Sequence, residues 1–209
     1  SPDGSRLVFG VRVTYLQANR GRTDLWMVDS DGGNLRQLTS HEGSESNARW
    51  SPDGRSLFFL AARSGTSQVW RLPLDGGEAE QMTEEPIDLT GFALSPDGEH
   101  IAYSMDVFVD CETVQCTRER LDSEAESPAA GRVYDRLLVR HWDTWKDGRR
   151  SHLFVRPLTG GVAVDVMRGF DADCPSKPFG GPEEYTFTPD SRALVFSARD
   201  AGREEAWST

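Results

Sequence analysis

No stretch of this sequence approaches the roughly 18 consecutive apolar residues that a membrane-spanning helix needs, so no membrane span is expected. Basic residues are too few to outweigh the acidic ones. The net charge of −11 argues against a phosphate-binding surface, which needs clustered Lys and Arg to displace counterions, and no nucleic-acid partner is expected. The start, Ser1-Pro2-Asp3-Gly4, has neither a basic nor an apolar run and reads as no signal peptide, although an exported parent can have lost one. The pentapeptide GxSxG, which exposes a nucleophilic serine on a strained turn, does not occur, and no catalytic residue is recognisable. With three cysteines, no CxxC and four scattered histidines, a structural zinc pattern is missing, and no cofactor is expected. Cys111 and Cys116 stand close enough in a polar segment to close a small loop, while Cys174 has no near neighbour. Spacing alone leaves a disulfide and two free thiols equally open.

What is present is a repeat. The tetrapeptide SPDG starts at Ser1, Ser51 and Ser95, and a degenerate copy, Thr188-Pro189-Asp190-Ser191, follows later. Behind each copy, at one offset, stands a short apolar strand: Leu7-Val8-Phe9, Leu57-Phe58-Phe59, Ile101-Ala102-Tyr103 and Leu194-Val195-Phe196. Pro presets φ, Asp bonds nearby backbone and Gly tolerates positive φ, so the motif reads as a hairpin tip. A second strand recurs with a large aromatic at its third position, in Asp24–Val28, Gln68–Leu72 and His152–Arg156. Each of these runs into a Gly pair, and a closing strand follows in Leu35–Thr39 and Ala79–Thr83.

The first two intervals between SPDG copies match the roughly 40–50 residues of a four-stranded propeller blade, and the third is about twice as long. The expected fold is therefore all-β: a partial β-propeller of four-stranded antiparallel blades. Residues 1–209 are read as one such domain of about three and a half blades, carrying an insertion at about residues 106–150 in the third repeat. The chain is expected to begin and end inside a blade and to pair edge to edge with another chain, because unpaired strand edges are templates for association. A β-sandwich or a twisted meander would also show short strands and Gly/Pro turns. Sandwiches do not normally repeat a turn motif and an aromatic strand in fixed register.

SPDG, the run from Leu25-Trp26 to Gly32-Gly33, and Gln37-Leu38-Thr39 together resemble the propeller repeat of TolB-type periplasmic proteins and of prolyl oligopeptidase family serine peptidases. Within the insertion, the segment from Val133 to Trp145, followed by Asp147-Gly148-Arg149-Arg150-Ser151-His152-Leu153-Phe154, is similar to bacterial dipeptidyl or acylaminoacyl peptidases. That resemblance implies a propeller gating access to a C-terminal α/β-hydrolase domain of the parent chain, with a peptide substrate or a partner protein. It implies a periplasmic or secreted location, and in that oxidising setting a Cys111–Cys116 disulfide with Cys174 free. A non-enzymatic TolB-like interaction propeller is the other reading.

Long loops on a rigid scaffold are where binding residues sit, so the insertion is the candidate site. After Cys111 and Cys116 it continues through a polar, helix-compatible stretch from Thr117 to Glu126 and breaks at Ser127-Pro128. Arg140, His141, Trp142, Asp143 and Trp145 are the candidate substrate or interface residues; the alternative makes Trp142 and Trp145 blade core and pairs Arg140 with Asp143. His141 and Asp143 alone are too few to hold a metal, and no metal site is expected. Glu183-Glu184 and Glu204-Glu205 invite comparison with paired glutamates that bind a substrate amino terminus, but their context reads as solvated acidic turns. Trp26, Trp70, Phe154 and Trp207 share one repeat position and are expected to pack between blades.

Overall fold

The computed structural model describes residues 1–128, 131, 133–134, 140–141 and 144–200, with only the backbone of 141. Its sheets follow one another along the chain as successive blades. In blade I, β1 (Arg6–Tyr15) pairs antiparallel with β2 (Arg20–Asp29), which pairs with β3 (Arg36–Gln37). Blade II runs in sequence order as β4 (Glu45–Trp50), β5 (Ser56–Ala61), β6 (Gln68–Pro73) and β7 (Glu80–Gln81). Blade III begins with β8 (Leu89–Leu94) and β9 (His100–Phe108). An intervening segment then holds helix α1 (Val114–Glu126) and the short strands β10 (Arg140–His141) and β11 (Thr144–Trp145). The blade resumes with β12 (Arg149–Pro157), paired directly on β9, and closes with β13 (Val164–Asp165). A hairpin of β14 (Tyr185–Phe187) and β15 (Leu194–Phe196) opens blade IV. The strands bracketing the insertion extend to Phe108 and Arg149, so the hairpin is longer than the repeat alone implies.

The SPDG tips explain their own composition. In each copy the first hydroxyl donates to the Asp Oδ1: Ser1 at 2.5 Å, Ser51 at 2.6 Å, Ser95 at 2.5 Å and Thr188 at 2.6 Å. The same hydroxyl accepts the amide that opens the next strand, at 2.9, 2.9, 2.8 and 3.1 Å. Thr188 can replace Ser because only the hydroxyl is used. Each carboxylate also accepts a backbone N–H two residues on, as for Arg55 at 3.0 Å, and these bonds, the hydroxyl's first, hold Asp3, Asp53, Asp97 and Asp190 below the usual carboxylate range. Gly4, Gly54 and Gly98 sit at φ +72°, +68° and +74°, where a Cβ is strained; the fourth copy places Ser191 there at φ 61°.

The tips also touch one another. A Cβ on Gly54 would lie 3.5 Å from Pro2, and one on Gly98 would lie 3.6 Å from Pro52. The Asp97 amide donates to Ser191 Oγ at 3.1 Å, which continues the contact into blade IV.

Alternation along each strand gives every blade two apolar faces. Phe59 of β5 faces blade I and packs with Leu25, Ala61 and the half-buried Trp70. Phe58 and Leu60 face the other way and, with Val69, meet Ile101, Tyr103, Met105, Val107 and Phe154 of blade III. Ala102 and Leu153 on the far face of blade III join Tyr185 and Phe187 of blade IV. Trp70 and Phe154 are thus inter-blade residues, as their shared repeat position predicts. Trp26 holds the same place on blade I, paired across strands with Phe9 on the face turned away from blade II, and is half-buried. Trp207 lies outside the described residues.

The residue two places before the large aromatic of each such strand is buried and polar: Asp24, Gln68 and His152 are at most 2% exposed. Gln68 Oε1 accepts from Thr83 Oγ1 (2.8 Å) and the Glu85 amide (3.0 Å), while its Nε2 donates to the Glu85 carbonyl (3.0 Å). His152 Nε2 donates to the Phe170 carbonyl (2.9 Å), and Nδ1 meets Asp165 Oδ2 at 2.9 Å. Gln68 and His152 thus fasten blades II and III to the chain that leaves them, whereas Asp24 Oδ2 is held by Arg22 of its own strand at 3.1 Å.

Candidate functional site

The candidate site is the segment between β9 and β12, at the end of blade III opposite its SPDG tip. Its root is a built corner. The Cys111 amide donates to the Phe108 carbonyl (2.9 Å), and Thr113 caps α1 by accepting from the Cys116 amide (3.2 Å). Cys111 and Cys116 are joined, with an S–S distance of 2.03 Å. Thr117, fully buried, accepts the Phe108 amide (3.2 Å), and Arg120 lies over the Phe108 ring at 4.3 Å while forking onto both oxygens of Asp110 at 2.9 and 3.0 Å. That fork, first of all, holds the Asp110 carboxyl below the usual range. Val114 and Leu121 turn the helix's apolar side onto the core shared by blades II and III. The cap explains why the helix starts three residues before the stretch expected from Thr117.

Beyond the helix, β10 and β11 form a short hairpin in which Arg140 pairs with Trp145 and His141 with Thr144. This register brings the Arg140 guanidinium over the Trp145 ring at 5.4 Å, and Tyr134 stacks on the same indole with ring centroids 6.0 Å apart. Trp145 is 54% exposed, so it is not blade core. Trp142 and Asp143 lie outside the described residues, as does the side chain of His141. The part of the cluster on view is a cation lying on an open aromatic platform.

Where the segment returns to the blade, charge is concentrated. Arg150 bonds Asp171 (2.7 Å) and Asp173 (2.8 Å), Asp173 also accepts the Ser151 amide (2.8 Å), and Lys177 meets Asp106 at 2.9 Å. Burial works to raise the Asp147 carboxyl, but hydrogen bonds from Arg149 outweigh it and hold the group below its ordinary range. This network ties the root of the insertion to the 171–177 loop ahead of blade IV. Nothing in the spacing of these residues announces it, because the loop becomes a neighbour only when blade III closes.

The glutamate pair at 183–184 does not form an ammonium clamp: Glu184 is committed to Ser176, accepting its amide at 2.8 Å and its hydroxyl at 2.7 Å. Glu204 and Glu205 lie outside the described residues. Cys174 is a buried free thiol, pushed up to about 11 by burial and then by the Glu184 charge, so it is held as a thiol rather than a nucleophilic thiolate. Among the described residues no helix is long and apolar enough to cross a membrane.

Blades of antiparallel strands packed face to face in chain order, with hydroxyl-Pro-Asp turns at one end, define the β-propeller class. Within it the chain belongs to the TolB beta propeller domain family, whose model matches residues 1–126. It is 31% identical over 202 residues to dipeptidyl-peptidase 5 of Porphyromonas gingivalis, covering 95% of this chain and 28% of the relative. It is 30% identical over 215 residues to dipeptidyl-peptidase 5 of Porphyromonas endodontalis, covering 100% of this chain and 30% of the relative. The chain thus spans under a third of the length of these curated relatives. Among solved structures, the acylaminoacyl peptidase of Pyrococcus horikoshii superposes with a TM-score of 0.56 at 15% identity, over 77% of this chain and 23% of that one. TolB of Acinetobacter baumannii superposes with a TM-score of 0.53 at 16% identity, over 96% of this chain and 43% of that one. At these identities the two structures speak for the fold alone.

Proposed function

We propose that this chain is the propeller portion of an exported serine peptidase that cleaves peptides, with the catalytic α/β-hydrolase domain elsewhere in the parent protein. The observation that carries the reading is the match to dipeptidyl-peptidase 5 over the whole chain, insertion included, while residues 1–209 contain no GxSxG. In this reading residues 1–209 are a single partial propeller with its insertion at about 106–150. The propeller filters what reaches the hydrolase, and Arg140 and Trp145, with His141, Trp142 and Asp143, contact the peptide or support the interface with that domain. The outer edge of β1, which pairs only with β2 among the described strands, fits edge-to-edge association when the chain is studied alone.

The test uses the full-length parent. It should release dipeptides from a fluorogenic dipeptidyl substrate and take up a fluorophosphonate on a serine outside residues 1–209. The 209-residue chain should do neither. Replacing Arg140 and Trp145 by Ala in the parent should change KM for longer peptides more than kcat for a short one. A full-length protein that captures partner proteins without hydrolysing peptides would favour the TolB-like interaction reading instead.

A further inference from the structure

The Cys111–Cys116 bridge stands where the insertion leaves blade III, at a corner that has several other ties. The Cys111 amide bonds the Phe108 carbonyl (2.9 Å), Thr117 accepts the Phe108 amide (3.2 Å), Arg120 forks onto Asp110 (2.9 and 3.0 Å), and Val114 and Leu121 pack on the core. The two cysteines are separated by five residues, and the entropy that a disulfide removes from the unfolded chain shrinks as its loop shortens. Both are half-buried, in contrast to the fully buried Cys174. The bridge is thus one tie among many, and it lies within reach of solvent.

A second observation sets its two ends apart. Thr113 is the N-cap of α1, so Val114, Gln115 and Cys116 are the first three helical positions, and Thr113 Oγ1 accepts the Cys116 amide at 3.2 Å. In a capping box the third of these positions carries a Glu or Gln, whose side chain meets the free amides and the positive end of the helix dipole. Here it carries a cysteine, and no acidic residue occupies the first turn to compete with it. A negative charge that develops on Cys116 Sγ is therefore stabilised. Cys111 lies outside the helix, between Asp110 and Glu112 in the chain, and has no such support.

We propose that Cys111–Cys116 is a thiol–disulfide exchange site, opened in the folded protein by a dithiol reductant, with Cys111 as the sulfur attacked and Cys116 as the leaving group. A thiolate of the dithiol attacks Cys111 Sγ. The S–S bond breaks, and its electron pair goes to Cys116 Sγ, which departs as a thiolate at the helix N-terminus. The second thiol of the reductant, as its thiolate, then attacks the reductant's own sulfur in the mixed disulfide and expels Cys111. The bridge gains two electrons, the two protons of the dithiol pass to the cysteines or to water, and the dithiol becomes a disulfide. Stabilising the leaving thiolate speeds the first step, and this gives the exchange its direction. Opening the bridge leaves α1 docked by its other ties and frees a thiol at the base of the insertion. The inference rests on this corner alone and not on the peptidase reading.

The test treats the folded, oxidised 209-residue chain with dithiothreitol, alkylates it without denaturant and maps the label by mass spectrometry. Cys111 and Cys116 should become labelled together, at a rate proportional to the dithiol concentration, while Cys174 stays unlabelled and the circular dichroism spectrum is retained. Reduction that proceeds only in step with labelling of Cys174, the signature of global unfolding, overturns the proposal. The variants Cys111→Ser and Cys116→Ser, checked for fold by circular dichroism, then separate the two sulfurs. With iodoacetamide at about pH 7, Cys116 should react several-fold faster than Cys111, and the gap should close or reverse at about pH 10, where both are thiolates. A Cys116 no faster than Cys111 at neutral pH, or an advantage that persists unchanged at high pH and so reports access alone, overturns the assignment of the leaving group.

Discussion

Blades I and II carry the same repeat, with matching motif residues, yet their fates differ. Phe59 and Leu57 of blade II are fully buried, whereas their counterparts Phe9 and Leu7 are 40% and 57% exposed. Val13 and Tyr15 extend the same open face. The backbone is not the cause, since β1 and β2 hold an unbroken antiparallel register over all ten pairs. Burial in this fold belongs to the contact between blades. A repeat residue becomes core only when another blade lies against it.

The sharpest way to test that contrast is to delete the same ring in both blades. Phe59→Ala should cost about 3–5 kcal/mol, the range for a large aromatic removed from a packed core. Phe9→Ala should cost less than about 1 kcal/mol, as for surface substitutions. Denaturant melts at a concentration where light scattering reports a monomer provide the measurement. Equal costs would mean that something covers the open face of blade I in solution, and the comparison between the blades would fall.

A smaller effect separates the tips from the faces. Gly54→Ala forces a Cβ onto a residue at φ +68° facing Pro2, so it should destabilise by roughly 1–2 kcal/mol. Gly131→Ala, with no described atom within 4 Å of the added carbon, should change the melt by less than about 0.5 kcal/mol. If Gly54→Ala proves as silent as Gly131→Ala, the tips do not constrain the blades.

The smallest effect is electrostatic. The tip aspartates have carboxyls held below the ordinary value, so the stability they give is present above the unfolded-state pKa of about 3.9 and is lost as pH falls through the lower folded value. Melting temperature should therefore drop below about pH 4. Asp53→Asn keeps the oxygen that accepts from Ser51 and Arg55 but cannot titrate, so it should flatten this acid limb slightly while leaving the melt at neutral pH almost unchanged. An acid limb of unaltered slope in Asp53→Asn and Asp190→Asn together would assign the acid sensitivity to other carboxylates, such as Asp147 or Asp110.

The same contrast shows what the sequence could and could not disclose. Turn chemistry and alternation are local, so SPDG, the apolar strand behind it and the aromatic strand after it place the centres of β5, β6, β9 and β12, while the extension of β9 to Phe108 and of β12 back to Arg149 goes beyond the repeat. Which aromatic is covered is not local, and Trp26 and Trp70 read alike until their neighbours are known. The buried polar position at Asp24, Gln68 and His152 escaped for a related reason: its side chains differ in type, and the loops that satisfy Gln68 and His152 reach them only in the folded blade. At the insertion, the helix is legible from Thr117 to Glu126 as a polar stretch, while the Cys111–Cys116 bridge followed from the family resemblance and not from spacing. The Arg140 and Trp145 platform depends on a two-residue strand register, and the Arg150, Asp173 and Lys177 network on the loop that leaves blade III for blade IV.

The string of touching tips, from Pro2 on Gly54, through Pro52 on Gly98, to Asp97 on Ser191, works like the pitch of a screw thread. Each tip gauges only the distance to the one beside it, so the advance from blade to blade is standardised at one rim. The opposite rim is then free to carry cargo of any length. Forty residues between β9 and β12 can be lengthened, shortened or exchanged there without altering that pitch, and this is how one scaffold can be refitted for different traffic while its wheel stays true.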